Sequence, residues 1–185
     1  MAGLWSLIAT DIKQKARWLY ENDQPTARLK ALLTDGTPAM ITYRLMQWSR
    51  RWRLLPLEMF FNKINSGFRH CVIGRGADFG PGFVLIHSNG IVINGQVRGG
   101  SNVFLEHQVT IGAEGRKAPV IGDSVFIGAG AKLLGGIQIG NGARIGANAV
   151  VLEDVPDHAT VAGVPAKIVR QRTVQDPSLL PPLDQ

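Results

Sequence analysis

Two histidines are the residues of this chain best suited to proton transfer. His87 stands in Leu85-Ile86-His87-Ser88-Asn89-Gly90, and His107 follows one segment later. An imidazole has a reference pKa near 6.5, so at neutral pH it can take a proton from a hydroxyl group as the oxygen attacks a carbonyl. His87 is the leading candidate for such a general base. For His107 the sequence leaves four roles open: a second acid or base, a contact to a bound hydroxylated molecule, a metal ligand, or a corner imidazole bonded to backbone.

Other site chemistries find less support in the residues. Cys71 is the only cysteine, so no intramolecular disulfide forms, and because it precedes the first coil and lies far along the chain from His87 we interpret it as a small packing residue. A three-histidine metal pattern is absent because His70 and His158 lie outside the segments of His87 and His107. We therefore predict no metal site. The glycines match neither a P-loop nor a dinucleotide-binding fingerprint.

A six-residue repeat determines which elements position these histidines. Steps of six from Ile73 meet a large apolar residue at thirteen of fourteen positions, and Gly115 is the exception. Such a period fits neither a helix nor a simple alternating strand, but it fits short strands separated by corners. The apolar positions are Ile73, Phe79, Leu85, Ile91, Val97, Val103, Val109, Ile121, Ile127, Leu133, Ile139, Ile145 and Val151.

The period predicts a parallel β-helix in which three hexads close each triangular turn. Successive coils then stack at about 4.8 Å, so His87 and His107 should lie within about 10 Å of each other. In this scheme His107 takes a slot that is mostly inward. The interruption at Gly115 predicts that residues 113–119 form a loop projecting from one corner, and this loop is a candidate for function because it does not serve the stacking.

The composition divides the chain near residue 70. Residues 1–70 hold all four tryptophans, 11 Lys and Arg and 5 Asp and Glu, whereas residues 71–185 hold 19 of the 22 glycines and 9 residues of each charge. We predict a mainly β protein with an N-terminal α-helical domain. The expected parts are a helical cap at 1–70 with helices at 4–21, 26–34, 39–55 and 57–67, a β-helix at 71–168, and a flexible tail at 169–185.

The net charge of +6 belongs wholly to the cap. Its cluster of cations and aromatic residues could suit nucleic acid or an anionic membrane, but we interpret it as packed aromatic side chains with solvated arginines. No signal peptide or membrane span is predicted, so we expect a cytoplasmic protein that does not bind nucleic acid, with peripheral contact to the inner face of the membrane left open. The cluster is Arg44, Trp48, Arg50, Arg51, Trp52 and Arg53.

The repeat region resembles the left-handed parallel β-helix acetyltransferases, and most closely their serine O-acetyltransferase branch. The resemblance rests on the segments 127–132 and 139–147 and on Val155-Pro156-Asp157-His158 leading to Ala162-Gly163-Val164-Pro165-Ala166. It extends into the cap through Thr42-Tyr43-Arg44 and Trp48. This resemblance implies acetyl transfer from acetyl-CoA to a hydroxylated acceptor without an acyl-enzyme, and a homotrimer with sites between adjacent β-helices.

Carried over by position, the resemblance implies that His87 is the catalytic base. It also implies that backbone at Ala129 and Ala147, which are three hexads apart, contacts the pantetheine arm of acetyl-CoA. His107 stands beside His87 as the second candidate catalytic residue. We expect four further cofactor contacts, from Gly112 and Ala113 on the preceding coil of the same side and from the cations Lys132 and Arg144 at the phosphates.

The sequence departs from the serine acetyltransferase pattern at three positions on the acceptor side. Ile86 replaces the aspartate before the catalytic histidine, Val72 the acidic partner that orients it, and Ala118 a second active-site histidine. Because a zwitterion needs charged groups, these changes favour a saccharide or polysaccharide precursor as acceptor. The alternative is a divergent serine O-acetyltransferase serving cysteine biosynthesis; a zinc hydratase or a non-catalytic scaffold is less favoured. Glu106 or Asp78 could supply the missing carboxylate.

Overall fold

The computed structural model describes residues 3–171, which form a four-helix cap followed by a parallel β-helix. This confirms the predicted fold class. The helices begin close to their predicted starts, and prolines occupy the first turn of the second, third and fourth, where a missing N–H is harmless. Their bounds are α1 Leu4–Tyr20, α2 Pro25–Leu33, α3 Thr37–Arg51 and α4 Leu55–Phe68.

The third helix is shorter than predicted. It ends at Arg51 because the chain turns between Trp52 and Leu54, with Arg53 at a φ of 56°. The fourth helix ends at Phe68 and the first strand begins at Val72, on either side of the predicted boundary at residue 70. Within residues 3–171, no helix is both long and apolar enough to cross a membrane.

Fifteen short strands in the described part of the chain form three faces of a triangular prism. Parallel neighbours come from successive coils, and among these strands only the last runs antiparallel to its neighbour. Face A contains β1 Val72–Ile73, β4 Val92–Ile93, β7 Thr110–Gly112, β10 Lys132–Leu134 and β13 Val150–Val151. Face B contains β2 Asp78–Phe79, β5 Arg98–Gly99, β8 Val120–Ile121 and β11 Gln138–Ile139. Face C contains β3 Val84–Leu85, β6 Phe104–Leu105, β9 Phe126–Ile127, β12 Arg144–Ile145, β14 Ala159–Ala162 and β15 Lys167–Gln171.

The length of a coil varies along the prism, and this corrects the predicted register. On face A, Val72 pairs with Val92, Val92 with Thr110, Thr110 with Lys132 and Lys132 with Val150. The second and fourth of these steps are the expected three hexads, whereas the first and third are longer. The extra residues of the first step lie in the corner that contains His87, and those of the third lie in the predicted projecting loop. That loop is present: residues 114–117 are exposed and close through a bridge between Glu114 and Lys117.

The first insertion moves the inward positions of the second coil by two residues. The strands there and the first strand of the third coil point Ile93, Leu105 and Ile111 into the core, while Val97, Val103 and Val109 fill a second inward slot that lies two residues before each strand position. The strand position on face B is Gly99, where a Cβ would lie 2.1 Å from the Phe79 ring. The ring of Phe79 therefore fills the space above this glycine. The second slot is apolar throughout this coil, at Ile91, Val97 and Val103, so the six-residue period meets apolar residues there although they are not the strand positions.

A buried ion pair joins the cap to the prism. The Arg44 guanidinium is fully buried and donates to Asp11 at 2.7 and 3.0 Å and to the carbonyls of Phe79 and Gly80. The carboxylate of Asp11 also accepts the backbone N–H groups of Gly82 and Phe83. Arg44 was predicted to be solvated, and this is wrong. Arg50, Arg51 and Arg53 are exposed, as predicted for the arginines, but Trp52 is exposed as well, so the prediction that this aromatic side chain is packed is wrong.

The predicted flexible tail begins too early. Residues 167–171 form β15, which pairs antiparallel with β14 and covers the end of face C. The rest of that tail, 172–185, lies outside the described residues.

Candidate active site

Four of the predicted site residues form one column along the corner between faces C and A. Each follows the inward residue of a strand of face C by two positions, and those strands pair in register. Backbone bonds continue the stacking, from Gly130 N–H to the His107 carbonyl and from Asn148 N–H to the Ala129 carbonyl. In coil order the column is His87, His107, Ala129 and Ala147.

The first two members of the column bring the imidazoles together. The ring centroids of His87 and His107 lie 6.0 Å apart with an interplanar angle of 75°, as close as the stacking of coils predicted. Both rings are about half exposed, so the predicted inward slot for His107 is wrong. The reason is the corner insertion: Leu85 pairs with Leu105 and not with Val103, so the two histidines occupy equivalent outward positions.

Each imidazole has a carboxylate beside its Nδ1. The Oδ2 atom of Asp35 lies 3.4 Å from His87, and the Oε2 atom of Glu106 lies 3.6 Å from His107. Asp78, the other carboxylate suggested for orienting His87, lies on face B and accepts a hydrogen bond from Gln47 of α3. The carboxylate at His87 therefore comes from the cap. Sequence reasoning missed it because Asp35 precedes α3, far from the repeats.

Several donors hold the Asp35 carboxylate in place. Oδ1 accepts the Gly36 N–H at 2.7 Å and the Ser88 hydroxyl at 3.1 Å, and Oδ2 accepts the Ser88 N–H at 3.3 Å. Partial burial opposes ionisation, but these hydrogen bonds and the one to His87 outweigh it and lower the pKa of Asp35. The group is therefore a carboxylate at neutral pH.

A buried lysine of α1 supports the same loop. Lys15 is fully buried, and its Nζ donates to the backbone carbonyl of Asp35. Burial lowers the pKa of Lys15 to about 8, although the negative charge of Asp35 acts in the opposite direction.

This lowered pKa makes stability depend on pH in a direction that can be checked. Between about pH 8 and pH 10.5 the unfolded chain keeps a proton on Lys15 that the folded chain releases, so folding becomes more favourable as pH rises. We expect the unfolding free energy of the wild type, minus that of Lys15→Met, to rise by on the order of 2–3 kcal/mol from pH 7 to pH 10. Urea denaturation at both pH values measures this difference. A difference that is constant or falls would contradict the expectation.

The two predicted cations flank the alanine end of the column. Lys132 lies on face A and donates from Nζ to the Gln108 carbonyl at 3.1 Å. Arg144 lies on face C, with its guanidinium carbon 4.7 Å from the centroid of the Phe126 ring. An anion in contact with both cations must therefore lie over the corner that Ala129 and Ala147 form between the two faces.

The structure does not place the predicted Gly112 and Ala113 in this column. Gly112 lies on face A in register with Leu134, whose side chain packs 3.0 Å from the position of a Cβ on Gly112. The residue of the preceding coil that stacks on Ala129 is His107. The predicted position of these two residues on the same side as Ala129 is wrong, because it assumes coils of equal length and the projecting loop lengthens this one; their contact with the cofactor stays a prediction.

Known proteins resemble this chain over most of its length. Residues 118–153 match the bacterial transferase hexapeptide (six repeats) family. The serine acetyltransferase of Bacillus pumilus is 35% identical over 167 residues, covering 86% of this chain and 76% of that protein. That of Mycobacterium tuberculosis is 40% identical over 154 residues, covering 80% and 66%, and that of Escherichia coli K12 is 38% identical over 153 residues, covering 80% and 56%. The chain belongs to the serine acetyltransferase family.

Solved structures agree with this assignment. Serine acetyltransferase from Neisseria gonorrhoeae superposes with a TM-score of 0.82 at 32% identity, covering 92% of this chain and 66% of that one. The Brucella abortus serine acetyltransferase in complex with coenzyme A gives 0.80 at 32% identity, with 91% and 69% covered. Family membership confirms the prediction of an acetyl-CoA-dependent acyltransferase.

Membership in the serine acetyltransferase family corrects the predicted acceptor. A saccharide was expected, but these relatives and structural neighbours are serine acetyltransferases, so the alternative that was kept open fits better. The saccharide prediction assumed that the changes at Val72 and Ile86 remove negative charge from the site. The structure shows two other carboxylates, of Asp35 and Glu106, beside the imidazoles.

The three positions that differ from the serine acetyltransferase pattern have structural surroundings of their own. Ile86 is buried with Val84 and Phe104, with Trp18 of α1 packed against this cluster. Val72 is an exposed residue of β1, and Ala118 packs against the main core. Ile86 thus helps to attach the cap to face C.

Cys71 does not suit covalent catalysis. It is buried, and burial followed by the charge of Asp35 raises the pKa of its thiol to about 12, which disfavours a thiolate nucleophile. Among residues 3–171 no group of three or more His, Cys, Asp and Glu side chains is arranged to hold a metal ion.

Proposed function

We propose that the protein is a serine O-acetyltransferase that moves the acetyl group of acetyl-CoA to the hydroxyl of L-serine, with His87 as general base. The observation that carries this proposal is the column: two adjacent imidazoles continue directly into two small residues along one corner of the prism. The family relationship supports these substrates, because the relatives are serine acetyltransferases and two solved neighbours are complexes with coenzyme A.

The small residues suit the cofactor. Alanine side chains at 129 and 147 allow an extended thioester arm to approach the backbone, and successive coils step by about 4.8 Å along the corner. With the arm along the alanines, its thioester end reaches the imidazoles. Lys132 and Arg144, on either side of the corner, are the cations proposed for its phosphates.

The proposed reaction needs one proton acceptor. Asp35 at Nδ1 favours the tautomer of His87 whose Nε2 lone pair is available. Nε2 takes the proton of the serine hydroxyl as the oxygen forms a bond to the thioester carbonyl carbon. The tetrahedral oxyanion, stabilised by backbone donors, then collapses with cleavage of the carbon–sulfur bond. The thiolate of CoA leaves and accepts the proton from His87, so that O-acetylserine and CoA are the products.

The remaining charges near the imidazoles suit an amino acid. The ammonium group of serine carries one positive charge, and the Glu106 carboxylate beside the His107 ring is the group proposed to pair with it. We assign His107 to this acceptor side, next to the base. A homotrimer in which a neighbouring prism completes the site, as well as a cytoplasmic location, belongs to the proposal.

Release of CoA thiol in the presence of different acceptors tests the function. We expect L-serine to be turned over with a kcat/KM at least about 100-fold above those of monosaccharides and oligosaccharides, because a site with charged groups rejects acceptors that leave those groups unpaired. D-serine and L-alanine are the matched controls for stereochemistry and for the hydroxyl. Turnover of a saccharide in preference to serine, or no binding of acetyl-CoA in calorimetry, would overturn the proposal.

A further inference from the structure

The loop between α2 and α3 presents its carboxylate to His87 in a defined orientation. Of the two oxygens of Asp35, Oδ1 bonds to Gly36 and to the Ser88 hydroxyl, while Oδ2 lies 3.4 Å from the His87 Nδ1. Ser88 also donates its backbone N–H to Oδ2. Ser88, the residue after His87, therefore holds the Asp35 carboxylate in its position beside the His87 ring.

The loop itself is held by both domains. Lys15 of α1 donates to the Asp35 carbonyl from a buried position. Gly36 has a φ of +82°, and a Cβ on it would lie 2.3 Å from the carbonyl oxygen of Leu85, the last residue of β3. Only glycine allows the loop to pass so close to this strand with that backbone conformation. The loop therefore reaches the prism at the strand that precedes His87.

We propose that Asp35 of the helical cap is the positioning residue for His87, with Lys15 and Gly36 fixing the loop that carries it. The inference rests on the proposed function, since it concerns the base of that reaction. Asp35 does not touch the reacting atoms. It keeps the proton on Nδ1, orients the ring and stabilises the imidazolium that forms when Nε2 accepts a proton.

The first test is the substitution Asp35→Asn, which keeps the size of the side chain and an oxygen for Gly36 and Ser88 but removes the negative charge. We expect kcat with L-serine to fall by about 10- to 100-fold, while the KM for acetyl-CoA stays within about 2-fold. The matched control is Glu153→Gln, an exposed carboxylate that pairs only with Lys167 among the contacts described. It should retain the activity of the wild type. Unchanged kcat in Asp35→Asn would overturn the proposal.

A double-mutant cycle distinguishes positioning from a role in folding alone. If Asp35 acts through His87, then adding Asp35→Asn to His87→Ala causes no further loss of the residual rate. If it acts only by maintaining the loop, the two losses multiply, and this outcome would overturn the proposal. The variant Ser88→Ala removes one hydrogen bond to Asp35 but leaves its charge, and we expect its kcat to fall less than about 5-fold.

A measurement without substrate separates this inference from the proposed function. The ¹⁵N spectrum of the imidazoles reports which nitrogen of His87 carries the proton, with the His87→Gln variant providing the assignment. We expect the Nδ1–H tautomer in the wild type and a shift toward Nε2–H in Asp35→Asn. An unchanged tautomer would reject Asp35 as the positioning residue even if serine is acetylated. The expected change would support it even if another acceptor is used.

Discussion

Replacement of His87 with alanine is expected to lower kcat for acetyl transfer to serine by about 10²- to 10⁴-fold, the usual contribution of a general base. Two features of the structure support this expectation. The ring is about half exposed at a corner, where an acceptor can reach it, and a carboxylate occupies its Nδ1 side. Steady-state CoA release at pH 7.5, with acetyl-CoA and serine both saturating, measures the effect.

The neighbouring histidine provides a matched comparison. His107→Ala removes an imidazole of equal size from the equivalent position of the next coil, and we expect it to raise the KM for serine more than it lowers kcat. Both variants should unfold at the same urea concentration as the wild type, because neither ring lies in the core. If His107→Ala abolishes turnover while His87→Ala retains it, the roles of the two residues are reversed and the assigned base is wrong.

The largest expected effect on stability is that of Arg44→Met. We expect the unfolding free energy to fall by about 3–5 kcal/mol, because the substitution leaves the buried Asp11 carboxylate without its counter-ion. The carbonyls of Phe79 and Gly80 lose donors at the same time. Burial already raises the pKa of Asp11 despite the bonds to Arg44, so protonation of Asp11 would relieve part of the cost in the variant. Urea denaturation followed by circular dichroism measures the loss.

Two controls accompany this prediction. Arg51 lies on the same helix at an exposed position, so Arg51→Met should change the unfolding free energy by no more than about 0.5 kcal/mol. The double variant Asp11→Asn with Arg44→Met removes both charges, and it should be more stable than Arg44→Met alone. A loss below about 1 kcal/mol for Arg44→Met would show that the ion pair contributes little to holding the cap on the prism.

The repeats could be predicted from the sequence because each strand of the prism shows the same short pattern. An apolar residue every six positions is a local signal, and it determined the three-sided shape and the proximity of His87 to His107. The register was harder to predict. In the second coil Val97 and Val103 are apolar although they lie two residues before the strand positions, so the six-residue period does not reveal the extra residues at the corner. The strand position on face B is Gly99, which has no side chain to mark it as an inward position because the Phe79 ring fills that space.

The acceptor side of the site could not be predicted in this way. Asp35 reaches His87 only because helices α1 and α3 pack against face C, and no local pattern encodes that approach. The same holds for Arg44, which looks like one cation among several in the sequence but is the buried partner of Asp11. The loss of negative charge at Val72 and Ile86 can be recognised in the sequence, whereas the approach of the Asp35 carboxylate from the cap cannot. The saccharide prediction failed for this reason.

The close approach of Gly36 to the Leu85 carbonyl has a consequence for how this protein could be recombined or redesigned. A hexapeptide prism fused to an unrelated N-terminal segment would carry His87 with it but leave Asp35 behind. Such a chimera could stack its coils correctly and still be a slow catalyst. Because Asp35 of the cap is the proposed positioning residue for His87, we expect that the cap and the prism have to be exchanged together if the catalytic rate is to be kept.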